Sequence, residues 1–167
     1  THQSHEVGRW FRNFGITKIA TSSLLMAEYF AKDGWNDITV AFPTNILEID
    51  TINRLAAKIK LNLLIQSEET LQFLSKELIN PVNALIKIDL GYGRTGIQAD
   101  DFTTIDNLTK GMNHCNNINF MGFLGHAGHS YDAKGVKQIE AVHHEAMEKM
   151  NIVYNKYNEI YPNMSIS

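Results

Sequence analysis

Cysteine is almost missing: Cys115 is the single one in 167 residues. One thiol closes no internal disulfide, which excludes a cross-linked secreted scaffold and fits a reducing, cytoplasmic setting. Proline is scarce at three, and the 11 glycines are too few for a linker-rich or low-complexity chain. Neither sign of charge dominates: 15 basic against 18 acidic side chains leave a net charge of −3. No basic stripe points to nucleic acid, and no acidic block points to a tail. Apolar runs end after a few residues, so none predicts a membrane span. No charged-then-apolar leader opens the chain, so no export signal is expected. What is present is a chain 44% hydrophobic, enough for one buried core and one domain.

Short β-branched runs alternate with longer helical stretches. Residues 4–14 place Val7, Trp10, Phe11 and Phe14 on one helical face, and Gly15 stops the helix. Residues 16–20 read as a buried strand. Ser22 or Ser23 caps a helix that ends at Asp33-Gly34. Residues 37–42 form a strand closed by Pro43, and a helix over 47–59 turns Ile49, Ile52, Leu55 and Ala56 inward. After a strand at 61–65, Ser67 with Glu68 and Glu69 opens the next helix, since a serine cap and acids suit the positive helix end. Strands at 83–90 and 118–124 flank a helix at 101–113. A longer helix covers 136–161, with Ile139, Met147, Met150 and Val153 as its core stripe, and a last strand starts at 164–166. Trp10 and Trp35 are expected to pack. Of His143 and His144, adjacent in mid-helix, one should face solvent and the other pack.

Most strand starts are separated by roughly 20–25 residues, the span of a strand plus a crossover helix. Several strands are apolar throughout, as strands covered on both faces are. The expected class is α/β with a parallel sheet. A barrel and an open doubly wound sheet both satisfy this pattern. The early strand–helix turns lack the Gly-x-Gly-x-x-Gly fingerprint of dinucleotide binding, which favours the barrel. A complete (β/α)8 barrel has eight strands and about 250 residues. The expectation is therefore a partial (β/α)8 TIM barrel, incomplete at both ends, whose bare edge strands call for further chain or a partner.

In such a barrel, functional groups sit where strands end. Those positions here are rich in polar side chains while the strand interiors stay apolar, which is the physical hint of an active site. The stretch Asp89-Leu90-Gly91-Tyr92-Gly93-Arg94-Thr95-Gly96 is the most informative. Its glycines let backbone approach a ligand, and Arg94 offers a permanent planar cation for a phenolate, carboxylate or phosphate. A ligand loop and an ordinary glycine-rich turn fit the spacing equally well. In Gly125-His126-Ala127-Gly128-His129-Ser130-Tyr131, His126 suits acid–base or ring-positioning work and Tyr131 supplies a phenol. The glycines argue against a helical metal site there. His114 and Cys115 read as an idle helix end.

With those motifs in hand, the sequence resembles the fold-type III pyridoxal-phosphate (PLP) enzymes, the alanine racemase-like barrels, and within them the D-threonine aldolase and D-serine dehydratase branch. Thr1-His2-Gln3-Ser4 is similar to the tail of that branch's cofactor motif, in which a lysine precedes Thr-His. Residues 19–24, Ala27-Glu28 and 34–38 resemble its second and third strands. The loop at 89–96 matches its next marker, and 125–131 is similar to the dehydratase-like members. The resemblance implies that residues 1–167 are the central part of the PLP-binding barrel. The Schiff-base lysine would stand just before Thr1. The phosphate-gripping loop and a C-terminal β domain, carrying the ligands of a divalent metal (Zn or Mn), would lie outside the chain. It further implies a lyase acting on small D-β-hydroxy amino acids, by Cα–Cβ cleavage or by loss of the β-hydroxyl with a metal as Lewis acid. The chain alone is then expected to be inactive. Arg94 and His126 are implied as catalytic and cofactor-binding residues, with His2, Thr21, Gln66 and Tyr131 as further cofactor-binding positions. A racemase of the same fold and a PLP-carrying protein without turnover are the other implied readings. A homodimer is compatible with all of them.

Overall fold

The computed structural model describes residues 3–167; His2 lies outside them. The elements run α1 (His5–Asn13), β1 (Ile19–Thr21), α2 (Leu24–Lys32), β2 (Asp37–Pro43), a 3-10 turn at Ile46–Glu48, α3 (Ile49–Ala56), β3 (Lys60–Ile65), α4 (Glu68–Glu77), β4 (Val82–Asp89), β5 (Ile97–Gln98), α5 (Phe102–Asn113), β6 (Ile118–Gly125), a 3-10 turn at Gly128–Asp132, α6 (Val136–Tyr157) and β7 (Ser165–Ile166). Helix starts follow local chemistry. The Ser23, Ser67 and Asp101 side chains accept the backbone N–H of Met26, Thr70 and Thr104 at 3.2, 3.2 and 3.1 Å, satisfying donors that have no partner inside the helix.

Every strand pair is parallel, and the strands lie in the order β1-β2-β3-β4-β6-β7, with β5 added to the end of β4. Among the described residues the order never reverses, so they hold no switch point of the doubly wound kind. The sheet curls into a half-barrel with helices around it, which is the partial (β/α)8 architecture the sequence predicts. No helix among the described residues is long and apolar enough to cross a membrane.

The two faces of the sheet differ as strand alternation demands. Leu61, Leu63 and Ile65 of β3 and Ala84, Ile86 and Ile88 of β4 join the core beneath the helices, with Ile52, Leu55, Leu71 and Leu74. The intervening residues face the concave side. There a polar rung crosses three strands: Asn83 Nδ2 donates to Asn62 Oδ1 at 2.7 Å, and Asn62 Nδ2 donates to Asp37 Oδ1 at 2.8 Å and Thr39 Oγ1 at 3.1 Å. Asn62 is buried, and this rung satisfies it. A one-residue slip of β3 would drive that amide into the apolar core, so the rung fixes register.

Several expectations fail at the helices of the two sheet edges. Trp35 is buried, but Trp10 and Phe11 are each 55% exposed and Phe14 is more so. Helix α1 docks through Gly8 instead, where a Cβ would stand 3.2 Å from both Phe30 and Trp35. In α6, Met150 and Val153 are buried while Ile139 and Met147 are half exposed; Tyr157, donating to Asp106 Oδ1 at 2.7 Å, pins the helix to α5. His143 and His144 are both exposed, and His144 meets Glu148 at 3.2 Å. Strand β5 was not foreseen, because two residues carry no periodic signal. Cys115 donates to the Gly111 carbonyl at 3.1 Å, an ordinary helix-end contact.

Candidate functional site

Strands β4 and β6 leave the sheet together, since Ile88 pairs with Gly125. Their following loops therefore meet at the C-terminal end of the half-barrel. The meeting point is Tyr92. The Arg94 guanidinium lies over its ring at 5.1 Å. The His126 ring stands edge-on to it at 6.5 Å, and His129 stacks on it at 6.1 Å. Tyr131 reaches His126 at 6.1 Å. Arg94, His126 and Tyr131, which the sequence singles out, are thus brought into one cluster. Tyr92 and His129 were missed as its members; an aromatic between two glycines was the available signal. Both His129 ring nitrogens and Gln66 Oε1 are buried without a hydrogen-bond partner. Gln66 follows β3, at the same end of the sheet. Thr21 stands apart: it pairs with Val40, a residue of the helix-side core, and its hydroxyl donates to the Ser23 carbonyl at 3.2 Å.

The glycine-rich loop is built differently from a ligand cradle. Gly91 and Gly93 have φ of 108° and 69°, a region open to glycine, and this turns both amides inward. They donate to Asp89 Oδ1 at 3.0 and 3.1 Å, while the Gln98 amide donates to Oδ2 at 3.2 Å. Two backbone N–H groups that could have held an anion are already taken by the chain's own carboxylate. Burial pushes the Asp89 carboxyl up, but the Gly93 and Gly91 amides, Gln98 and the nearby Lys149 outweigh it and hold it below the usual carboxylate range.

The charge left for a ligand is positive. Among the described residues Arg94 has no carboxylate partner. Lys87, 4% exposed on the concave side of β4, has its ammonium pushed down by burial and by Arg94, against the pull of Asp89. His126 is held below its ordinary value by partial burial, Lys87 and Arg94, so it is a neutral imidazole near neutral pH. No group of three or more His, Cys, Asp or Glu among the described residues is placed to hold a metal.

Lys87 allows a direct test. Its folded value is depressed, so the unfolded chain holds the proton over the window from that value up to about 10.5. Stability must therefore rise as pH climbs through that window. Lys87→Met should raise the unfolding free energy by about 1 kcal/mol at neutral pH and flatten the rise. Urea midpoints at stepped pH measure both; parallel profiles for the two proteins would show that Lys87 is not penalised.

The sequence profile described as "Alanine racemase, N-terminal domain" matches residues 1–163. Among curated proteins none matches. Of solved structures, D-threo-3-hydroxyaspartate dehydratase from Delftia sp. HT23 is 23% identical with a TM-score of 0.83, over 95% of this chain and 42% of that one. D-threonine aldolase from Filomicrobium marinum is 13% identical with a TM-score of 0.87, over 95% of this chain and 43% of that one. Alanine racemase from Clostridium difficile 630 is 17% identical with a TM-score of 0.77, over 96% and 42%. The chain spans well under half the length of each. At these identities the structures speak for the fold, and the profile, covering nearly every residue, speaks for descent: the chain belongs to the alanine racemase N-terminal domain family, the fold-type III PLP-dependent enzymes.

Proposed function

We propose that this chain forms one wall of the PLP site in a lyase acting on D-β-hydroxy amino acids, of the D-threonine aldolase or D-serine dehydratase type. The observation that carries the reading is the unmatched positive charge at the mouth. Arg94 and Lys87 repel each other, and Asp89, which offsets Lys87 in part, has its oxygens occupied by its own loop, so an anionic guest relieves both. The donor set fits a cofactor that is phosphorylated, phenolic and flat: a guanidinium, aromatic rings at Tyr92 and Tyr131, and a neutral imidazole. Bound there, PLP would supply an electron sink for the substrate α carbon. Arg94 would donate to the phenolic oxygen or the ring. His126, neutral, would line the ring or substrate side and take a proton there. Gln66, with an unpaired oxygen, and Tyr131 would complete the wall; Thr21 and His2 are further from support. Ligands of a divalent metal would come from outside this chain.

The D-threonine aldolase and D-threo-3-hydroxyaspartate dehydratase likenesses support the lyase reading. The alanine racemase profile supports the second reading, a racemase of the same fold. The full-length protein, supplied with PLP and a divalent metal, should be given D-threonine, D-serine, D-3-hydroxyaspartate and D-alanine. Glycine plus acetaldehyde, or a keto acid plus ammonia, is the expected result. L-alanine from D-alanine would replace the lyase by the racemase. Bound PLP with no turnover would leave a carrier without catalysis.

A further inference from the structure

Asp89 is the last residue of β4 and is 7% exposed. Its two oxygens tie together three pieces of chain: Gly91 and Gly93 on either side of Tyr92, and Gln98 in β5. On the outer side the loop meets α6, where a Cβ at Gly91 would stand 2.8 Å from Glu145 Oε1 and 2.9 Å from Lys149 Nζ. Tyr92 sits between the two bonded amides and carries Arg94 on its ring. The path from carboxylate to guanidinium is therefore short: amides, then Tyr92, then Arg94. No ion pair joins Asp89 to Arg94 among the described residues. Asp89 spends its charge on the backbone instead.

We propose that Asp89 is a positioning residue, whose carboxylate locks the 90–96 loop so that Tyr92 and Arg94 are presented to an anionic cofactor, and which fills the two loop amides that would otherwise compete for that anion. The proposal rests on the reading of Arg94 as a cofactor contact. The charged and titratable groups around Asp89 are Lys149 from α6, itself paired with Glu145 at 2.6 Å against Gly91, and Lys87 from its own strand; the amides of Gly91, Gly93 and Gln98 supply the rest. The carboxyl is depressed, so the lock is whole above the ordinary carboxylate range and opens as pH falls through the folded value.

Glycine-selective isotope labelling of the full-length, cofactor-free protein follows the Gly91 and Gly93 amide protons directly. Both should move together through one midpoint below the ordinary aspartate range, and Asp89→Asn should abolish that transition. PLP affinity is then read by absorbance titration. Asp89→Ala should weaken it about tenfold, some 1.4 kcal/mol. Asp89→Asn, which keeps an acceptor oxygen for the amides, should recover most of it, to within about threefold of the parent, under 1 kcal/mol. A purely structural aspartate would lower the melting temperature in both variants and leave the affinity of the folded fraction alone. Amides that do not titrate together, or Asp89→Ala binding PLP like the parent while Arg94→Ala does not, would overturn the lock. Failure of the unaltered protein to bind PLP would instead sink the cofactor reading, and the role as positioning residue with it, while the amide titration still decides whether the carboxylate holds the loop. If Asp89→Ala does not fold, the amide titration and Asp89→Asn carry the test.

Discussion

If the full-length protein is the lyase proposed above, Arg94→Ala in it should lower turnover at least tenfold, about 1.4 kcal/mol in barrier. The expectation follows from where the charge goes. Arg94 has no acid partner to lose, and it is exposed, so its removal costs the fold little. It should instead weaken any anion bound at the mouth, because Lys87 lies deeper and the loop amides are taken by Asp89. Arg94→Lys should recover only part of the loss, since an ammonium lacks the planar fork and stacks less well on Tyr92. Removing the guanidinium also removes one of the two cations that depress His126, so the His126 titration should move up in the variant. Steady-state kinetics beside a histidine NMR titration check both; kinetics equal to the parent's would place Arg94 outside the site.

Gly122→Ala should destabilise the chain by about 3 kcal/mol. Gly122 has a φ of 139°, where a side chain is strained. The Cβ would also be driven into the Ser165 backbone, with its nitrogen at 2.6 Å and carbonyl carbon at 2.8 Å. Neither side can give way cheaply. Gly122 is the pairing partner of Ser165 in β7 and lies opposite Leu85, where the β4–β6 register shifts. Strand β7 is two residues long, so the strain should release by detaching it. Hydrogen exchange should show the Ser167 amide, which donates to the Phe123 carbonyl at 3.1 Å, losing protection first. Denaturant midpoints supply the energy; a loss below about 1 kcal/mol would mean that β6 bends around the added methyl.

Much of the architecture could be read in advance. Ser23 and Ser67 mark helix starts because capping is a contact within a few residues. The apolar strands at β3 and β4 declare a sheet covered on both sides, and Arg94 and His126 stand in strand-end loops whose positions follow from the alternation. The failures share a cause. Trp10, Phe14, Ile139 and Met147 look like core residues, and helical periodicity shows which side chains share a face but not whether anything covers it. Gly8 carries the packing of α1, and a missing side chain leaves no apolar signal. The spacing of the glycine-rich loop left a ligand cradle and an ordinary turn equally open; its amides point to Asp89, because direction depends on φ at Gly91 and Gly93.

The amino-acid order alone determined the succession of elements, the parallel α/β class and the two loops that meet at the mouth. Each of these rests on contacts between near neighbours in the chain or on the periodicity of burial. Only the folded chain decided that Lys87 is buried beside Arg94, that Asp89 is consumed by its own loop, and that Tyr92 is the hub between β4 and β6. Those depend on desolvation and on distances between residues far apart in sequence, and neither exists until the strands are placed side by side.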